Sequence, residues 1–138
     1  MCIFSRLTKW DIYHIMKRRK MKFNIVIYAR GDGTEPILEF INSLDEKMRA
    51  KVLREIRLLG ERGNELREPS TKYLEDGILE LRIKQAKNIS RVLYFFMQDR
   101  KIVLTHGFVK KTKKTSSKEI ERAKKYRKDY VARREEER

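Results

Sequence analysis

Residues 79–97 read L-E-L-R-I-K-Q-A-K-N-I-S-R-V-L-Y-F-F-M, and no other stretch constrains the fold as tightly. Leu79, Leu81 and Ile83 alternate with Glu80, Arg82 and Lys84, the period of two that gives a half-buried strand one apolar and one charged face. Residues 92–97 are almost continuously apolar and aromatic, as expected of a central strand covered on both sides. Only residues 85–89 separate the two runs, so a hairpin is the simplest link. That pairing brings Arg91 near Arg82 and Lys84. Cations crowded on a sheet repel one another unless an anion is usually present, which points to a polyanionic ligand. The competing reading is the solvated face of an edge strand, kept charged against aggregation.

At 138 residues the chain suits one domain with a single core. It carries 35 Lys plus Arg against 20 Asp plus Glu, a formal charge of +15, which favours phosphate-rich partners or an acidic protein over neutral metabolites. Cys2 is the single cysteine, so no internal disulfide forms and a reducing cytoplasm is the expected compartment. With His14 and His106 the only histidines, a structural zinc site has too few ligands, and neither metal nor cofactor is expected. No run approaches the roughly 18 to 20 apolar residues of a membrane span. Arg6, Lys9 and Asp11 interrupt any apolar signal region near the amino end.

Three segments are expected. Residues 1–20 form a basic extension with a weak stripe of Trp10, Tyr13 and Met16, read as a mobile arm or as a frame that begins properly at Met21. Residues 21–132 form the folded domain, and residues 133–138 a frayed charged tail. Within the domain, residues 22–28 predict a first strand, broken by Gly31 to Gly33. Thr34 is placed to cap a short helix bearing Ile37, Leu38, Phe40, Ile41 and Leu44. Ser43 and Glu46 have capping-box spacing before a second helix with Met48, Val52, Leu53, Ile56 and Leu59, which Gly60 or Gly63 ends. Residues 64–73 read as a loop, Asp76-Gly77 as a turn, and residues 102–109 as a further strand after a turn at 99–101. Gly107 inside that strand suggests a bulge or a close approach. Ser116 and Glu119 then open a charged helix through Ile120, Ala123, Tyr126 and Tyr130. The expected fold is α+β: a small antiparallel sheet built as strand, two helices and three-stranded meander, closed by a charged helix.

No Gly-rich phosphate loop, nucleophile elbow or promising carboxylate pair is present. What remains is a basic site assembled from Arg82, Lys84 and Arg91 with His106, Lys110 and Lys111 at the end of the next strand, extended by Lys113 and Lys114. RNA cleavage by attack of the 2′-hydroxyl on its own phosphate needs a base, an acid and cations around the phosphorane. Arginine's planar fork suits the last role, and neighbouring positive charge with burial lowers a lysine toward use as a base. His106 titrates nearest neutrality and can serve as acid or base, or it is a packed strand histidine whose parity matches Ile102, Leu104 and Phe108. Tyr126 and Tyr130 lie one helical turn apart, spaced to stack on a base or, more simply, to anchor the helix.

The order of elements resembles the RelE superfamily of bacterial toxins. The runs M-K-F-N-I-V-I-Y, L-E-L-R-I-K, S-R-V-L-Y-F and H-G-F-V-K-K-T-K-K-T followed by S-S-K-E-I-E-R-A resemble its phage-related HigB branch, over residues 21–130. The resemblance implies the toxin of a type II toxin-antitoxin module, a metal-independent, ribosome-dependent mRNA endoribonuclease that stops translation and growth. It also implies a HigA-like helix-turn-helix antitoxin as partner. By the same resemblance Arg82 and Lys84 fall on the basic positions of the second strand, Arg91 on the strand-three arginine, Lys110 and Lys111 at the end of the fourth strand, and Tyr126 or Tyr130 on the carboxyl-terminal tyrosine. Arginine at position 82 leaves Lys84 as the lysine base. Two other readings stay open: a ParE-like protein inhibitor of DNA gyrase, and a non-catalytic nucleic-acid binder whose affinity falls steeply with salt.

Overall fold

The computed structural model describes residues 6–16, 21–110 and 114–136, with the backbone alone at Lys110. Its helices are α1 (Lys9–Met16), α2 (Pro36–Ser43), α3 (Glu46–Arg62) and α4 (Ser117–Glu136). Its strands are β1 (Asn24–Ile27), β2 (Thr71–Glu75), β3 (Ile78–Gln85), β4 (Asn88–Met97) and β5 (Lys101–Lys110), in the sheet order β1-β5-β4-β3-β2. The α+β class is as expected, and β3, β4 and β5 form the antiparallel meander read from the sequence. The sheet as a whole is mixed, however, because β1 runs parallel to β5. Two helices separate β1 from the later strands, and such a crossover lets the first strand lie beside the last in parallel.

The 64–73 segment is not wholly a loop. Thr71 opens β2, which pairs antiparallel with β3 through a tight turn at Asp76 and Gly77, both at positive φ. T-K-Y-L-E escaped recognition because an edge strand with Lys72, Tyr73 and Glu75 exposed has no apolar alternation to show. The β3–β4 hairpin is also tighter than 85–89 implied, since Gln85 pairs with Asn88 and only Ala86 and Lys87 turn.

One sheet face packs on α1, α2 and α3. Ile25, Ile27, Leu81, Ile83, Val92, Ile102 and Leu104 meet Ile37, Ile41, Val52, Ile56 and Leu59 there. Each fully buried aliphatic side chain contributes roughly 1.5–3 kcal/mol, so this layer carries most of the stability. Ile12 and Met16 of α1 are buried in the same cluster, Leu7 exchanges two hydrogen bonds with the Asn42 side chain, and the Tyr13 hydroxyl accepts from the Ile27 amide. Residues 9–16 are thus a packed helix where an arm was expected. The weak stripe did mark it, although Trp10 faces out. The caps also differ from expectation. Asp45, not Ser43, caps α3 by accepting from Met48, and Glu35 precedes Pro36 at the start of α2, while Thr34 bonds Asp32.

The other face carries a smaller cluster of Tyr28, Ile78, Leu93, Phe95, Val103 and Ala123, covered by α4. Between Leu93 and Tyr94 the β4–β5 register slips, with Leu93 opposite His106 and Tyr94 opposite Leu104, so Thr105 is an extra residue. This bulge reverses the facing of β5. Ile102 and Leu104 join the helical core, whereas Phe108 joins the cluster beneath α4 and His106 lies in ring contact with it. Gly107 is accordingly next to a bulge and also a close approach: a Cβ there would meet the Phe40 ring at 2.3 Å. The expected fraying of 133–138 does not begin at Arg133, which bonds the Ala29 carbonyl and Asp129 within α4.

Candidate active site

The alternation of β3 sends Glu80, Arg82 and Lys84 to the α4 side of the sheet, and the hairpin register sets Arg82 directly opposite Arg91 and Lys84 opposite Ile89. Around them lies a cavity of about 660 Å³, lined by Lys72, Arg82, Lys84, Arg91 and Lys114. Pro69, Ser70 and Ile89 complete its wall. Three of the residues singled out from the sequence, Arg82, Lys84 and Arg91, are brought together as expected, with Lys114 as a fourth.

Arg82 and Arg91 are not the solvated face of an edge strand, nor are they bare cations. Glu80, fully buried, lies between them. Its Oε2 accepts from Arg82 Nε at 2.8 Å, and its Oε1 is 3.9 Å from Arg91 Nη1. The Thr115 hydroxyl, just ahead of α4, accepts from Arg91 Nη1 at 2.8 Å and donates to Glu80 Oε1. Arg91 is 1% exposed, Arg82 is half-buried and Lys84 is exposed, so the three cations present a gradient from a held interior charge to a mobile outer one. A buried guanidinium is tolerable only when paired and hydrogen-bonded, and the Glu80–Thr115 pair meets that condition.

His106 does not join this cavity. The β5 bulge and α4 place it in a second cavity of about 310 Å³ with Arg30, Glu39, Phe40, Arg122 and Tyr126. Its Nε2 is 3.0 Å from Glu119 Oε1 and its Nδ1 3.2 Å from the Thr105 hydroxyl. Burial pushes its pKa below the ordinary histidine value, while Glu119 pulls the other way. His106 is the packed strand histidine of the second reading and shares its face with Phe108, but the bulge turns it away from the face of Ile102 and Leu104.

Tyr126 stacks on Tyr28 at 4.8 Å between ring centroids and accepts from Arg30, and Tyr130 meets Phe95 edge-on. Both sit at the α4–sheet boundary, away from the cationic cavity. Lys110 continues β5 opposite Ile89, which lines the cavity; Lys111 and Lys113 lie outside the described residues. Sequence reasoning missed Glu80, Thr115 and Lys72 as members of the site. Glu80 was visible as part of the charged face, two residues before Arg82, but it is enclosed by Arg91, Thr115 and β2. Lys72 was hidden with β2.

Residues 39–128, well over half of the chain, match the family model described as phage-derived protein Gp49-like (DUF891). The matched span runs from α2 into α4 and holds every residue lining the cationic cavity. Among curated proteins none matches the chain. Among the described residues, no helix is long and apolar enough to cross a membrane. The match and the fold agree, and the chain belongs to the phage-derived Gp49-like family, a family of RelE- and HigB-like toxins associated with toxin-antitoxin modules and so with an antitoxin partner.

Proposed function

We propose that this chain is a cytoplasmic endoribonuclease that cuts mRNA on the ribosome and thereby arrests translation, and that a HigA-like helix-turn-helix antitoxin neutralises it. The cationic cavity carries this reading. Five basic side chains converge on a space large enough for a nucleotide, on a protein of net charge +15. The half-buried Arg82 and buried Arg91 are suited to the non-bridging oxygens of the scissile phosphate, where the negative charge of the phosphorane accumulates. Lys84, exposed at the rim, takes the proton of the 2′-hydroxyl once RNA crowds and dehydrates the site. The 2′-oxygen then bonds to phosphorus as the bond to the 5′-oxygen breaks, and that oxygen leaves with a proton from solvent. His106, buried against Glu119 in a separate cavity, takes no part, which leaves the described residues of the cationic cavity without a strong acid-base pair. The ribosome therefore supplies the positioning.

Primer extension on defined mRNAs in a reconstituted translation reaction tests this, with wild type, Lys84→Ala and a reaction lacking ribosomes. Cuts are expected from wild type alone and only with ribosomes, with Lys84→Ala slower by about 100-fold or more, the usual worth of a general base. Growth arrest with intact mRNA and damaged DNA would instead favour the gyrase inhibitor.

A further inference from the structure

Among the described residues Glu80 is the one buried carboxylate behind the cavity's arginines, and the cleavage chemistry leaves it without a role. We infer that Glu80 is a positioning residue that sets the aim of both arginines, an inference that rests on the nuclease reading. The register puts two guanidinium-bearing residues directly opposite on adjacent strands, where like charges push the side chains apart. Each oxygen of Glu80 faces one of them. Arg82 is held through Nε, and its two Nη groups make no hydrogen bond among the described residues, so the carboxylate turns the outer edge of the fork toward the cavity. On the other side Thr115 relays the hold from Oε1 to Arg91 Nη1. A single carboxylate thus keeps two cations close together while the Nη edge of Arg82 is left to the cavity. Thr115 immediately precedes the α4 segment, so the seating of that helix is coupled to the aim of Arg91.

The test compares wild type, Glu80→Gln and Thr115→Val in single-turnover mRNA cleavage on programmed ribosomes. The Nε–Hε resonance of Arg82, assigned by its loss in Arg82→Lys, is followed alongside. Glu80→Gln should lower the rate at saturation about 100-fold, as a misplaced group of about 1 Å does, with half-saturation within about threefold of wild type. The Arg82 resonance should move toward its unfolded position. Thr115→Val, which leaves the Glu80–Arg82 bond in place but removes the two hydrogen bonds of the relay, should lose about 10- to 100-fold. A general weakening of the fold would instead lower the amount of active protein and leave the Arg82 resonance of the folded fraction unmoved. If Glu80→Gln does not fold, Thr115→Val carries the test. Cleavage by the folded variants within threefold of wild type, or cleavage lost in Glu80→Gln with an unmoved Arg82 resonance, overturns the positioning role alone. A wild type that cuts nothing overturns the nuclease reading and this role with it.

Discussion

His106 on β5 and Glu119 in the first turn of α4 are joined across the boundary between sheet and helix, Nε2 3.0 Å from Oε1. Arg122 on α4 and Arg30 beyond β1 also face the imidazole and disfavour its protonation, as burial does more strongly, while Glu119 favours it. The net effect is a histidine that stays neutral in the folded protein below the ordinary value of about 6.5. The unfolded chain then takes up the proton first as the solution is acidified. Stability contributed by neutral His106 is present above about pH 6.5 and is lost as pH falls from there toward the folded value. Urea unfolding between pH 7.5 and 5.5 should show this loss in wild type and a flatter profile in His106→Gln.

Arg91→Ala should cost stability as well as activity. Removing the guanidinium takes one cation from the buried Glu80, which keeps Arg82 and Thr115, and empties a packed interior site, so the cost should be at or below the roughly 3–5 kcal/mol of a fully broken buried pair. Urea denaturation will show the midpoint falling. Loss of growth arrest in this variant therefore does not by itself assign catalysis to Arg91, and Lys84→Ala, at an exposed side chain, is the cleaner probe.

The Tyr28 hydroxyl donates to Asp129 at 2.6 Å, tying the end of β1 to α4. Burial, with the Asp129 charge adding to it, pushes the phenol up to about 12. Since the folded value lies above the unfolded value of about 10, the stability is complete below pH 10 and is lost as pH rises from 10 toward 12. Burial also raises the phenols of Tyr13 and Tyr94, so an absorbance titration should show late tyrosine ionisation that Tyr28→Phe reduces by one group.

Gly107→Ala should destabilise the domain by about 1–3 kcal/mol, because the new methyl would press on the Phe40 ring where α2 lies against β5. A thermal melt measures this. Gly107→Ala with Phe40→Leu should recover part of the loss, and equal melting of wild type and Gly107→Ala would show that the ring moves aside at no cost.

The cationic site was legible to the extent that it lies within one hairpin. A period of two in residues 79–84 and one short turn placed Arg82, Lys84 and Arg91 together, because strand pairing converts local spacing into contact. The burial of His106 was one of the two readings left open, but its face was set by one inserted residue: Thr105 bulges, and nothing in I-V-L-T-H-G-F-V except Gly107 announces it. Glu80 looked like one more surface charge, since Arg91, Thr115 and the β2 strand that enclose it come from other parts of the chain.

Periodicity, turn residues and charge balance by themselves determined the α+β class, the meander, the helical core stripes and the basic hairpin. All are set by neighbours a few residues apart, where side-chain direction follows backbone geometry. Tertiary structure alone decided the parallel docking of β1 on β5, the pairing of β2, the burial of α1, the reversal at Thr105 and the enclosure of Glu80 between two arginines. The β2 pairing and the bulge are local but carry no periodic signature, whereas the others depend on surfaces far apart in sequence, where the cost of burying a charge is weighed against distant partners.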